Sequence, residues 1–243
     1  MTNNSQASQR VFETTRWSMI TQVIGVGRGD SVQALDELAL RYCYAVYAYV
    51  RRCGHAPVIA LDITRTFMRH LPRHFQDVEH TADKKRFRRF LLIRLNDWLA
   101  DDWRETREEA EDALPAIDDA QLEARYLRDC KHFESPEHAF QRAFALEVLA
   151  RAFSRLRAEA QQTGHIDMYD ALAPFLAHDP APGQYDEIAR ELRSRPLALV
   201  VALKRLRQRL RELSSDELAD TVSSADEFAM EQSTLLAILH PAP

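Results

Sequence analysis

Apolar residues recur at spacings of three and four through most of the chain, the pattern of helices that bury one face. From Ser31 onward, Ala34, Leu35, Leu38, Tyr42, Val46 and Tyr49 repeat in this way until Gly54 stops the run. Pro57 opens a second segment with Ile59, Ile63 and Phe67 on one face. This helix is predicted to end near Leu71, because Pro72 lacks the amide hydrogen that a helix interior uses. A polar loop of roughly residues 76–84 leads to a third helix, predicted from Arg86 to about Arg107, with Phe87, Phe90, Leu91, Ile93, Leu95, Trp98 and Trp103. Between Glu108 and Pro136 the periodicity weakens, Pro115 interrupts and acids accumulate, which reads as a linker between domains. A second helical block follows: His138 to about Gln162, Met168 to Leu176, then Tyr185 to Leu192 and Pro196 to Leu213 beyond a Pro-rich turn at Asp179 to Gly183.

The expected architecture is therefore all-α, with two helical domains joined by an acidic linker, the second ending in a helix-turn-helix. The boundaries are an N-terminal extension 1–30, a first domain 31–107, the linker 108–136, a second domain 137–213 and a C-terminal extension 214–243. With 46% hydrophobic and 28% charged residues over 243 positions, the chain can bury two real cores. Only 6 residues are glycine, which agrees with helices. Cys43, Cys53 and Cys130 are odd in number and lack the C-x-x-C spacing, so neither a disulfide framework nor a zinc knuckle is expected. No long uncharged run and no signal-peptide pattern is visible, so a cytoplasmic protein without a membrane partner is expected.

Charge changes the picture more than composition does. The net charge is −5, which argues against a nucleic-acid partner. Yet residues 193–211 carry Arg193, Arg195, Lys204, Arg205, Arg207, Arg209 and Arg211 with no acid among them, while residues 97–112 hold eight acids against Arg104 and Arg107. The charge is segregated.

Two constellations can use it. Residues 185–192 and 196–213 have the layout of a helix-turn-helix, whose second helix enters the DNA major groove. There Leu199, Leu203, Leu206, Leu210 and Leu213 form a packing stripe, leaving the cations on the remaining surface. An amphipathic helix with a solvated basic face is the plainer alternative. The turn lacks glycine, and Val200, Val201 and Ala202 are poor readers of bases. The second constellation is Lys84-Lys85-Arg86-Phe87-Arg88-Arg89-Phe90 with Trp98 and Trp103 downstream, a basic and aromatic mixture suited to single-stranded nucleic acid. Phe87 and Phe90 fit a core equally well. Catalytic patterns are missing, and an enzyme is not expected. His70 and His74 have the spacing of a helical zinc pair, but Leu71 stands where a metalloprotease glutamate belongs and Pro72 lies between them, so surface histidines are expected and neither metal nor cofactor is assigned.

The order of these features resembles that of bacterial extracytoplasmic-function (ECF) sigma factors, over nearly the whole chain. The resemblance rests on Phe12 to Ser18, on Leu35 to Arg52, on Arg86-Phe87-Arg88-Arg89-Phe90-Leu91-Leu92, on Tyr185-Asp186-Glu187-Ile188-Ala189 and on Glu217-Leu218-Ala219-Asp220-Thr221-Val222. It implies a dissociable specificity subunit of the RNA polymerase core that directs it to promoter DNA. The first domain would bind the polymerase clamp and melt the −10 element, using Arg86, Arg88, Arg89, Asn96, Trp98 and Trp103. The second would read the −35 element with the cations of 193–211. Such factors usually carry an acidic Asp-Ala-Glu-Asp-Leu-x-Gln-Glu cluster, but this chain reads Ile59-Ala60-Leu61-Asp62-Ile63-Thr64-Arg65-Thr66 and keeps only Asp62. Helical projection gives a polymerase-binding face of Asp62, Arg65, Thr66 and Arg69, with Thr64 at its edge. A phosphate on Thr66, or on Thr64, restores about −1.5 to −2 charges. A subgroup resembling this chain depends on a Ser/Thr protein kinase, which makes such a kinase an expected partner. The alternative is a degenerate sigma-like adaptor that binds polymerase or a kinase without recognising a promoter.

Overall fold

The computed structural model describes residues 28–75, 87–100, 119–219 and 225–239. Among them every regular element is an α-helix or a short 3-10 turn: α1 (Arg28–Arg52), α2 (Pro57–Phe75), α3 (Phe87–Ala100), α4 (Asp119–Asp129), α5 (Pro136–Gln162), α6 (Ile166–Leu172), α7 (Gln184–Glu191), α8 (Pro196–Ala219) and α9 (Ala225–Leu239). The fold is all-α, as the periodicity predicts. Two compact units divide it, one reaching to Glu147 and resuming at Leu218, the other running from Val148 to Glu217. The division thus falls inside α5 and near the end of α8.

In the first unit, α1 packs on α2 and α4, and α2 packs on α3. The sequence predicts one buried face for α1, but every residue from Tyr42 to Val50 is buried. Tyrosines make this feasible, since each buries a ring and carries a hydroxyl to a polar partner at the rim. Tyr44 donates to Asp129 at 2.6 Å, Tyr47 to Glu123 and Tyr49 to Asn96, while the Tyr42 ring stacks on Phe144 at 5.3 Å. Arg51 grips Glu123 through Nε and Nη2, at 3.0 and 2.9 Å, and lies over the Tyr126 ring. Residues 119–129, within the stretch expected to be a linker, are therefore a helix anchored to α1, with Leu122 and Tyr126 buried, as is Phe133 just beyond it. High polarity hid a narrow apolar stripe. A second difference is at Pro72, which α2 passes through before ending at Phe75. The proline costs the helix only the one bond that an amide at 72 would make to the Met68 carbonyl, three residues before the helix ends.

The second unit closes around Ala152, Leu156, Ala160, Tyr169, Leu172, Leu176, Ala189, Leu199, Leu203 and Leu213. Of the predicted α8 stripe, Leu199, Leu203 and Leu213 are buried and Leu206 and Leu210 pack partly against them. Each fully buried leucine contributes about 1.5–3 kcal/mol. The turn between α7 and α8 is closed by the amide of Ser194 on the Ala189 carbonyl, at 2.9 Å, and that of Arg193 on Arg190. This six-to-one closure needs a left-handed residue, and Arg193 supplies it with φ +49°. Pro196 then occupies the first turn of α8, where a missing amide is harmless.

Candidate nucleic-acid interface

The cations of 193–211 separate into two groups by what their side chains touch. Arg207 is tied down: it donates to the Asp179 carboxylate and to the carbonyls of Phe175 and His178, each at 2.7 Å. It therefore clamps the Pro-rich loop onto α8 rather than facing a ligand. Arg209 is likewise engaged, bidentate on Glu159 at 2.9 and 2.8 Å and in contact with Glu212 at 3.1 Å. These bonds hold the Glu159 carboxyl below its usual range, against the smaller effect of burial. Both arginines were expected to contact DNA, and both are neutralised by acids that lie outside residues 193–211.

Arg193, Arg195, Lys204, Arg205 and Arg211 form the other group, and all are exposed. Arg211 donates to the neutral Gln208 amide at 2.7 Å. None of the five has an ion pair among the described residues. A helical projection of α8 at 100° per residue sets Lys204, Gln208 and Arg211 opposite the leucine stripe, with Leu197, Val200 and Val201 nearer the start of the helix on the same side. Those three apolar residues are 73%, 42% and 43% exposed. Leu197 was not singled out by sequence reasoning; its place directly opposite Leu199 and Leu203 was the available signal.

The first unit reshapes the other predicted sites. Arg88 is buried, donates to Gln141 at 2.8 Å and covers the Phe144 ring, 4.5 Å from its centroid. Trp98 is buried against Phe67 and His70, with ring centroids 6.3 and 5.3 Å away. Both belong to the core instead of the expected DNA-facing set. His70, expected at the surface, is buried with Nδ1 2.8 Å from the Thr66 carbonyl oxygen. Arg89 and Asn96 are exposed, and Asn96 accepts the Tyr49 hydroxyl. Arg86 and Trp103 lie outside the described residues, as does the side chain of His74.

On α2 the expected clamp-facing set divides as well. Asp62, Arg65 and Arg69 are partly exposed, but Thr66 is buried at 3% and Thr64 at 0%, the Thr64 hydroxyl donating to the Ala60 carbonyl at 2.7 Å. The projection placed Thr66 outward because it considered only the Ile63 and Phe67 stripe. Packing of α2 against both α1 and α3 widens the buried arc beyond half the helix. Val58, 77% exposed, and Ile59, 38% exposed, stand at the open end of this face instead.

Compared with protein-family models, curated proteins and solved structures, the chain matches none. Among the described residues no helix is long and apolar enough to cross a membrane.

Proposed function

We propose that the protein is a sigma-type transcription initiation factor. In this reading α7 and α8 are a helix-turn-helix that meets the −35 element, and the α2 face docks the first unit on the polymerase clamp. The observation that carries the proposal is the set of five exposed cations at the α7–α8 turn and along α8, none ion-paired among the described residues, in a chain of net charge −5. An acidic protein that neutralises Arg207 and Arg209 internally but leaves these five open has a surface suited to phosphate. The sequence resemblance supplies the rest: the order of the two blocks, the polymerase partner and the promoter.

The test is run-off transcription by core polymerase with the full-length protein on a genomic promoter library, beside Lys204→Ala/Arg205→Ala/Arg211→Ala. Promoter-specific transcripts that need the protein and fade in the triple variant are expected. Polymerase binding without such transcripts selects the second reading, an adaptor that recognises no promoter. That reading is favoured by one observation: Leu197, Val200 and Val201 offer no hydrogen bonds to base edges.

A further inference from the structure

Between the C-terminal part of α5, the turn at 163–165, α6 and the middle of α8, the second unit holds an open cavity of about 320 Å3. Its walls are apolar, built from Leu156, Ala160, Met168, Tyr169, Ala202 and Leu206. Glu159, Arg205 and Arg209 supply charge at the same cavity. Glu159 and Arg209 satisfy each other through two parallel bonds, so they present little net charge. Arg205 is exposed and has no ion pair or hydrogen bond among the described residues. Thr163 and His165, both exposed, complete the lining at the turn, so a ligand meets a mostly apolar hollow with polar groups at its edge, of which the Arg205 guanidinium is the open permanent charge.

We propose that this cavity binds a small amphipathic carboxylate, with a short hydrocarbon chain against Leu156, Ala160, Met168 and Leu206 and the carboxylate on Arg205. Chemistry and size both point there. Apolar walls give water few of the two to four polar partners it needs, so a hydrocarbon displaces solvent at little loss. A planar guanidinium takes a carboxylate through two parallel bonds, whereas a cationic head finds Glu159 already occupied. The volume is about twice that of the ~150 Å3 cavity that admits benzene and lies at the small end of ligand pockets, which span about 300–1,000 Å3. A chain of about eight carbons is the fitting scale. The apolar walls face away from the outward side of α8, but Arg205 at the rim is also one of the five cations of the DNA-binding reading, so Ala202→Leu, which fills the cavity and leaves every cation in place, is the variant that separates the two.

The experiment titrates the full-length protein with octanoate, octan-1-ol and octyltrimethylammonium by calorimetry. Saturable binding of one octanoate per chain is expected, with the alcohol weaker by about tenfold, the scale of one charge-assisted contact, and the cation not saturating. Arg205→Ala, a change at an exposed position, should weaken octanoate by a similar factor, and Ala202→Leu should block the cavity while Arg205 remains. Circular dichroism melting confirms that both variants are folded. Octanoate binding that does not saturate, that equals binding of the cation, or that survives both substitutions overturns the proposal.

Discussion

Arg193 shows how one residue carries two opposed demands. The closure of the α7–α8 turn requires φ > 0, where a Cβ is crowded, and the residue there is an arginine at +49°. Arg193→Gly should therefore stabilise the second unit by about 1 kcal/mol in urea unfolding. If Arg193 meets phosphate, the same change should also lower the salt slope of DNA binding by about one contact; a stabilised variant with an unchanged slope would assign the residue to the turn alone. Thr66 and Thr64 carry the opposite lesson. With both side chains buried and the Thr64 hydroxyl bonded to Ala60, no kinase can reach them while α2 is packed. Treatment of the folded protein with a Ser/Thr kinase should leave both unmodified by mass spectrometry, with phosphate appearing on them only in mild denaturant. Stoichiometric phosphate on Thr66 in the native protein would restore the proposed activation of clamp docking by a kinase.

Elements were legible in the sequence to the extent that their stripes were wide. Pro57, Gly54, Pro136, Pro196 and the α8 leucines marked helix limits and faces well, whereas α4 was obscured because its apolar face is only Leu122 and Tyr126, within a polar run. Its docking is instead carried by Tyr44, Tyr47 and Arg51 reaching Asp129 and Glu123, pairs separated by about 70 to 85 residues that no local pattern reveals. The same long-range pairing removed Arg207 and Arg209 from the candidate DNA surface. Burial raises the carboxyl of Glu123, but the bonds from Arg51 and Tyr47 outweigh it and hold the group below its ordinary 4.5. A depressed folded value means that the contribution is present above the unfolded value and is lost as pH falls through the folded one. Glu123→Gln should cost about 1–2 kcal/mol at neutral pH, and the gap from wild type in urea unfolding should narrow below pH 4.5. On α8 the apolar leading face makes a different forecast. Leu197, Val200 and Val201 can read a base pair only through the thymine C5-methyl group. Replacing thymine by uracil throughout a bound −35 duplex should weaken binding several-fold, by about 1 kcal/mol, measured by fluorescence anisotropy; equal affinity for both duplexes would place these side chains away from the bases.

At the scale of the whole molecule, the proposed factor has two docking surfaces with different electrostatics. The outward side of α8 offers cations to phosphate, so its DNA affinity should fall steeply with salt, by about 0.9 in log–log slope for each phosphate neutralised. The α2 face offers Val58 and Ile59 at its open end, and Asp62 is the one acid in the α2 sequence, which also carries Arg65 and Arg69. By resemblance the clamp surface is basic, so long-range attraction is weak there and contact must come from apolar burial, which salt does not screen. Affinity for core polymerase should accordingly stay flat, or rise, between 50 and 200 mM salt, a range over which six or more phosphate contacts cost DNA binding about three decades or more. Arg69→Glu should then tighten polymerase docking at low salt by removing a like charge, and Val58→Asp should weaken it at all salts by removing apolar contact despite adding the sign the clamp prefers. Surface plasmon resonance on immobilised core enzyme measures all three proteins at matched salt. Docking by the wild type that falls with salt as steeply as DNA binding, or a gain from Val58→Asp, would mean that charge and not apolar contact holds the first unit to the clamp.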